Sequence, residues 1–142
     1  MGEVILPKLK ALKRSLLVVD FDPMMIEQLK HKQVTGVYGD AGDPDFLMEI
    51  KLEKSKLVIS TIPDAEISYN ILEYLKNRKF TGAVIVTAKT KEQAEWLYSA
   101  GATFVIIPSV LGGQRFGELL NKEKFDPKAW STLAKASFSI KS

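Results

Sequence analysis

Five short apolar runs, Leu16–Val19, Val34–Tyr38, Leu57–Ile59, Ala83–Val86 and Phe104–Ile107, are separated by amphipathic segments. Most of the runs are continuously apolar and rich in Val and Ile. That pattern predicts parallel strands covered on both faces, because a strand with one wet face would alternate. Several intervening segments carry helix-start chemistry. Asp22-Pro23, Asp43-Pro44 and Asp126-Pro127 each place a capping carboxylate before a proline at the first helical position, where a missing N–H costs nothing. Thr90-Lys91-Glu92-Gln93 has capping-box form, and its helix is expected to end at Gly101. Ile26/Leu29, Phe46/Leu47/Ile50, Ile67/Ile71/Tyr74/Leu75 and Leu97 supply the faces that pack on the sheet. Alternating strand and helix implies right-handed crossovers, so the predicted fold is α/β with a doubly wound, mainly parallel sheet of about five strands.

The ends of the chain read differently. Leu6–Arg14 is legible as a short first helix, and Gly112-Gly113, after Pro108, as a flexible turn into a helix. A domain over residues 1–120 is expected. Residues 121–142 then form a linker and a short helix around Pro127–Ala136, with a fraying Ser-rich end at Ser137–Ser142.

Composition narrows the function classes. A chain of 142 residues with 46% apolar and 26% charged positions is one ordinary globular domain, large enough for a real core. It has no cysteine, which excludes disulfides, a thiolate nucleophile and a thiolate metal site. His31 is the sole histidine and sits in the polar run Lys30-His31-Lys32-Gln33, as an exposed helix end would. A Ser-His-Asp triad or a His-cluster metal site is therefore very hard to build. No apolar run approaches the roughly 18–20 residues of a membrane span, and the N-terminus lacks a signal-peptide pattern. The net charge of +3 is mild, but many positive charges concentrate in Lys8–Arg14 and Lys76–Lys79. Such a face could meet phosphate or anionic lipid, or be a solvated helix surface.

In an open parallel sheet, ligands bind beyond the carboxyl ends of the strands, so candidate chemistry is sought there. Asp20 ends the first apolar run, where a carboxylate can accept hydrogen bonds from both hydroxyls of a ribose. Asp20 or Asp22 could instead cap the next helix; Asp22 fits the cap better, leaving Asp20 free. Gly39-Asp40-Ala41-Gly42 could let a flat base approach the backbone while Asp40 contacts its edge, or be a plain turn before a helix. Ser60-Thr61 ends the third run with two hydroxyls that can serve a ligand or the local backbone. Lys89, just past the fourth run, could neutralise a phosphate.

Taken in order, five segments resemble one family: Leu-Val-Val-Asp20-Phe-Asp-Pro, Val-Tyr-Gly39-Asp40-Ala, Lys-Leu-Val-Ile-Ser60-Thr61-Ile-Pro-Asp, Val-Ile-Val-Thr87-Ala-Lys89, and Ala-Gly101 through Pro108 to Leu-Gly112-Gly113. Over residues 15–120 the chain is similar to RCK domains (regulators of potassium conductance, also KTN or TrkA-N), most of all to the cytosolic tails of Kef-type monovalent cation:proton antiporters. The resemblance implies a Rossmann-like unit that dimerises, binds NAD(H) or AMP, and transmits the bound state to a membrane transporter. Asp20, with Phe21 beside it, would hold the adenosine ribose. Asp40 and Ala41 would line the adenine pocket, and Ser60 and Thr61 would lie near ribose and phosphates. Lys89 stands where the family often has Arg, and loses its fork geometry. The resemblance further implies a cytosolic, non-enzymatic domain with no metal site, no nucleic-acid partner and no membrane insertion.

One departure is large. Family members open with a strand and a G-x-G-x-x-G turn that cradles pyrophosphate on a helix N-terminus. Here Gly2 could match the second glycine, but Ile5 falls where the third would be. Either the chain is a fragment or its phosphate loop is lost. The strands ending at Asp20 and Thr61 could then pair directly, in the order 2-1-3-4-5, unless a neighbouring chain or Val4–Leu6 fills the place between them. A dinucleotide-dependent dehydrogenase finds no substrate domain and no acid/base constellation here, and two other classes compete. One is a dimerisation module without ligand. The other is a phosphorylation-dead receiver-like domain, since Ser60-Thr61 and Ile107 occupy the positions of a receiver's phosphoacceptor Asp and its Lys.

Overall fold

The computed structural model of the chain describes residues 1–139. Five strands, β1 (Leu17–Asp20), β2 (Thr35–Tyr38), β3 (Leu57–Ile59), β4 (Ala83–Thr87) and β5 (Phe104–Ile106), alternate with helices. The helices are α1 (Gly2–Ala11), α2 (Pro23–His31), α3 (Pro44–Glu49), α4 (Ala65–Asn77), α5 (Lys91–Ser99), α6 (Pro108–Glu123) and α7 (Pro127–Ser139), and a short 3-10 turn, Leu52–Lys54, precedes β3. Every strand pairing is parallel, as the Val/Ile-rich runs predict.

The strands do not form one sheet. β1 pairs with β2, and β3, β4 and β5 pair in that order; among the described residues β1 and β3 are not paired. The direct pairing allowed by the sequence is thus corrected, and so is the alternative in which Val4–Leu6 fills the gap as a strand, since those residues are helical. Leu17 and Leu57, the first residues of β1 and β3, are both exposed.

Each half has its own core. Leu6, Leu29 and Val34 form a small buried cluster with Leu16, Val18 and Ile26 against it. The larger cluster runs from Leu47 of α3 through Ile71, Leu72 and Leu75 of α4 to Val84, Val86, Leu97 and Val105. α1 spans the halves. Leu6 belongs to the small core, Lys10 Nζ donates to the Lys32 carbonyl (2.7 Å), and Gly2 lies against Thr61 of the other half. α1 therefore begins at the carboxyl ends of the strands and ends where they start.

The helix starts follow their capping chemistry. Asp22, Asp43, Asp64 and Thr90 accept from first-turn amides, and Gln93 Oε1 accepts from Lys89 N–H (3.0 Å). Gly101, at φ +107°, terminates α5 as expected, and His31 is an exposed last residue of α2.

Two local expectations change. Gly112 and Gly113 lie inside α6, because Pro108 at its first helical position starts the helix upstream of them. Asn121 also lies inside α6, and the turn before α7 is confined to residues 124–126. α7 runs to Ser139; the rest of the Ser137–Ser142 end lies outside the described residues.

Candidate ligand site at the strand ends

Asp20 is the last residue of β1 and pairs in register with Tyr38, the last of β2. Its backbone carbonyl accepts from Gly39 N–H (3.1 Å), tying the two strand ends together. The expectation that its side chain is left free is corrected: Oδ1 accepts from Asp22 N–H at 2.9 Å, while Asp22 caps α2 through Met24 N–H at 2.9 Å. Both carboxylates of the Asp20-Phe-Asp22 turn thus serve the backbone, each with one oxygen. Asp40 repeats the arrangement, with Oδ1 accepting from Gly42 N–H at 2.8 Å. Among the described residues the second oxygen of Asp20 and of Asp40 has no partner, so each carboxylate is oriented by the fold and keeps acceptor capacity.

Phe21 and Tyr38 stack beside these carboxylates, with ring centroids 5.3 Å apart and planes 21° apart. Both rings are exposed, at 65% and 51%. Tyr38 is the residue that sequence reasoning missed. Its signal was its place: an aromatic at a strand terminus, directly across the pairing register from the candidate Asp20. Gly39 has a steric reason to be glycine, since a Cβ there would lie 2.2 Å from the Phe46 ring. Ala41 packs half-buried against the larger core, joining this corner to α3 and α4.

The other strand-end residues divide by accessibility. Ser60 is buried; its Oγ faces Ile62 N–H at 3.4 Å, and its carbonyl accepts from the buried Thr87 hydroxyl at 2.8 Å. This geometry ties β3 to β4. Thr61 is half-buried, with Oγ1 3.2 Å from where a Cβ on Gly2 would stand, so α1 starts directly on it. The Met1 carbonyl receives Val4 and Ile5 N–H, and no side chain caps the helix start. Lys89 is exposed just beyond β4, in the other sheet from Asp20. The structure thus groups Asp20, Phe21, Asp40 and Ala41 with Tyr38 at the β1–β2 end, and places Ser60, Thr61 and Lys89 along the β3–β4 end.

This end of the molecule is strongly acidic. Residues 20–22, 40–45 and 64–66 contain seven carboxylates and no Lys or Arg. The site is an open shelf, since Phe21, Tyr38 and Asp40 are all exposed; none of the seven candidate residues lines either of two surface recesses, of about 250 and 310 Å³, formed by residues 53–82 and by residues between 42 and 78. Carboxylates and exposed rings fit the ribose and base half of a dinucleotide. For the phosphates the chain offers Lys89 and the uncapped start of α1 against the surrounding carboxylates. Among the described residues no helix is long and apolar enough to cross a membrane.

Comparison with known proteins agrees with this fold. "Potassium channel protein 1" of Methanocaldococcus jannaschii is 27% identical over 124 residues, covering 84% of this chain and 36% of that protein. "Probable potassium channel protein 2" of the same organism is 35% identical over 86 residues, 58% of this chain and 24% of the relative. The chain therefore spans about a third or less of these relatives. Among solved structures, the TrkA-N domain of the inner membrane protein ybaL from Escherichia coli superposes with a TM-score of 0.77 at 22% identity, over 84% of this chain and 89% of that one. The NAD(P)-binding domain of an exopolyphosphatase-related protein from Archaeoglobus fulgidus gives 0.70 at 27% identity, over 83% and 88%. The GsuK channel bound to NAD gives 0.62 at 20% identity, over 74% of this chain and 19% of that one. Residues 1–108 match the TrkA-N domain as a family, and the chain belongs to it.

Proposed function

We propose that this chain is a regulatory domain of a potassium or other monovalent cation transporter, which senses an adenine nucleotide and signals through rearrangement of a homodimer. The observation that carries the ligand reading is the pair of backbone-anchored carboxylates, Asp20 and Asp40, at neighbouring strand ends beside exposed aromatic rings. Asp20 accepts the ribose hydroxyls, Asp40 and Ala41 border the base, and Phe21 with Tyr38 flanks it. Thr61 and the start of α1 face the phosphate side, with Lys89 beyond. Ser60 supports the site from beneath rather than touching ligand. The relatives named as potassium channels, and GsuK bound to NAD, support the transport and nucleotide parts of this reading. No covalent chemistry is assigned.

A ligand regulates by binding two arrangements with different affinity. The surface for a second copy is α6, where Val110, Leu111, Phe116 and Leu120 are exposed and, among the described residues, none is buried. Sedimentation of the wild-type chain and of Phe116→Asp tests the dimer; an unchanged molecular mass in the variant overturns this surface.

The nucleotide reading is tested by thermal-shift titration with NAD, NADH, AMP and adenosine. A ligand at about 100 times its Kd adds roughly 2.7 kcal/mol, several degrees for a domain of this size. With seven carboxylates around the shelf, adenosine is expected to bind at least as well as AMP at low salt, with the gap closing as salt screens the repulsion. No shift with any of the four refutes nucleotide sensing by this chain and favours a dimerisation module without ligand.

A further inference from the structure

Charge is segregated along the sheet axis. Each helix of the β1–β4 region hands over to its following strand at the end of the molecule opposite the ligand shelf. Those junctions, residues 8–14, 30–32, 51–56 and 76–79, hold twelve of the chain's twenty basic residues and a single acidic one, Glu53. Eleven of the twelve are exposed, Lys32 being half-buried. Lys30 is paired with Glu27 at 3.3 Å, and four helix ends at about −0.5 each offset about two unit charges, so the face keeps a strong net positive charge.

We infer that this basic end is a docking surface for an anionic lipid bilayer, a peripheral contact with headgroup phosphates separate from the nucleotide site. Three observations select a lipid surface. Exposed leucines stand among the cations: Leu12 (62% exposed) between Lys10 and Lys13, with Leu17 and Leu57 at the strand starts beside them. Apolar side chains ringed by lysine gain from a headgroup–acyl boundary. Ten of the twelve cations are Lys, point charges suited to diffuse phosphate, and two are Arg, whose fork reads bases and phosphates bidentately. A recess of about 250 Å³ opens on the same face, lined by Lys56, Arg78, Lys79, Ser55 and Thr81 together with Glu53. Arg78 is held over the Tyr74 ring at 3.7 Å, and Tyr74 OH donates to Glu53 at 2.8 Å, so the carboxylate in the recess is already engaged. The recess is of a size to take one phosphate headgroup.

The inference does not depend on nucleotide binding, and its test keeps the two apart. The full chain is sedimented with vesicles of phosphatidylcholine alone and with about 30% phosphatidylglycerol, at about 0.1 M and about 0.5 M salt. Each basic residue near an anionic surface raises partitioning about fivefold. Binding is therefore expected to anionic vesicles at low salt, and to disappear at high salt. Combined Arg14→Glu, Lys54→Glu and Lys76→Glu should lower it at least tenfold. The charge-matched control Lys91→Glu, Lys128→Glu and Lys135→Glu, away from this face, should retain it, with melting temperatures reporting that both variants fold. Equal partitioning to both vesicle types, equal loss in the control, or displacement from vesicles by an equal phosphate concentration of duplex DNA would overturn the assignment. The last outcome would make the face a nucleic-acid surface.

Discussion

Asp20→Asn separates the two roles that the structure gives this side chain. The asparagine Oδ1 can still accept from Asp22 N–H, now at 2.9 Å, so the turn into α2 survives and stability should stay within about 0.5 kcal/mol of wild type. What is lost is the ligand-facing acceptor: with Oδ1 held by Asp22 N–H, asparagine presents its Nδ2 donor where aspartate presents a charged oxygen. Hydrogen bonds to a charged acceptor contribute about 1.5–3 kcal/mol, and a ribose hydroxyl turned to accept from the amide keeps a neutral one of about 0.5–1.5, a difference of about 1–1.5 for each bond. Two ribose hydroxyls then make a loss of about 2–3 kcal/mol, or roughly 30- to 160-fold in Kd. Isothermal titration with the tightest-binding nucleotide, run beside thermal melts, reads both quantities. Asp20→Ala removes the turn acceptor as well and should lower the melting temperature in addition to affinity. An Asn variant that binds like wild type would refute the ribose role and leave Asp20 as a turn residue alone.

Other consequences concern the scaffold. A Cβ at Gly82 would lie 2.4 Å from the Lys56 carbonyl and 2.4 Å from the Phe80 ring, so Gly82→Ala should cost about 1–3 kcal/mol, read as a lower denaturant midpoint with unchanged slope. Thr87→Val keeps the shape but deletes the buried bond to the Ser60 carbonyl (2.8 Å); about 1–3 kcal/mol should be lost in the same assay, and Thr87→Ser should recover most of it. The Glu53–Tyr74 pair makes stability depend on pH at both extremes. A backbone hydrogen bond and then the Tyr74 hydroxyl hold the Glu53 carboxyl below its ordinary range, so its contribution is present at neutral pH and fades as pH falls through the folded value. Burial, and then Glu53, push Tyr74 up, so its contribution is present below about pH 10 and fades as pH rises beyond. Melting temperature against pH should flatten at both ends in Tyr74→Phe; an unaltered profile would contradict the pairing.

Much of the architecture was legible because it rests on local chemistry. Continuous Val/Ile runs fix strands covered on both faces, and Asp-Pro pairs fix helix starts through side-chain acceptors and a missing donor. Whether β1 and β3 pair or leave a gap stayed open in the sequence, since strand order depends on contacts between segments far apart in sequence. Gly112 and Gly113 misled for a related reason: glycine lowers helix propensity by about 1 kcal/mol each, yet Pro108 starts α6 and the helix continues through them. At the candidate site, residue type and strand-end position singled out Asp20 and Asp40, which the structure sets at the ends of paired strands. They could not tell that Ser60 is buried with its hydroxyl facing Ile62 N–H, because a strand-end hydroxyl has the same sequence signature whether it faces ligand or backbone.

The two cores give the proposed signal a physical route. Asp20, Phe21 and Tyr38 belong to the half held by the small cluster of Leu6, Leu29 and Val34, whereas Thr61 and Lys89 belong to the half with the extensive core. A part with few buried apolar contacts opens and shifts at lower free-energy cost than a well-packed one. A nucleotide whose ribose and base sit on the first half, and whose phosphates reach Thr61, would hold the halves in one relation. α1 already makes that connection, through Leu6 on one side and Gly2 against Thr61 on the other. The bound state can then change the presentation of the surfaces on both halves without any chemistry at the site, because a ligand shifts an equilibrium by its differential affinity alone.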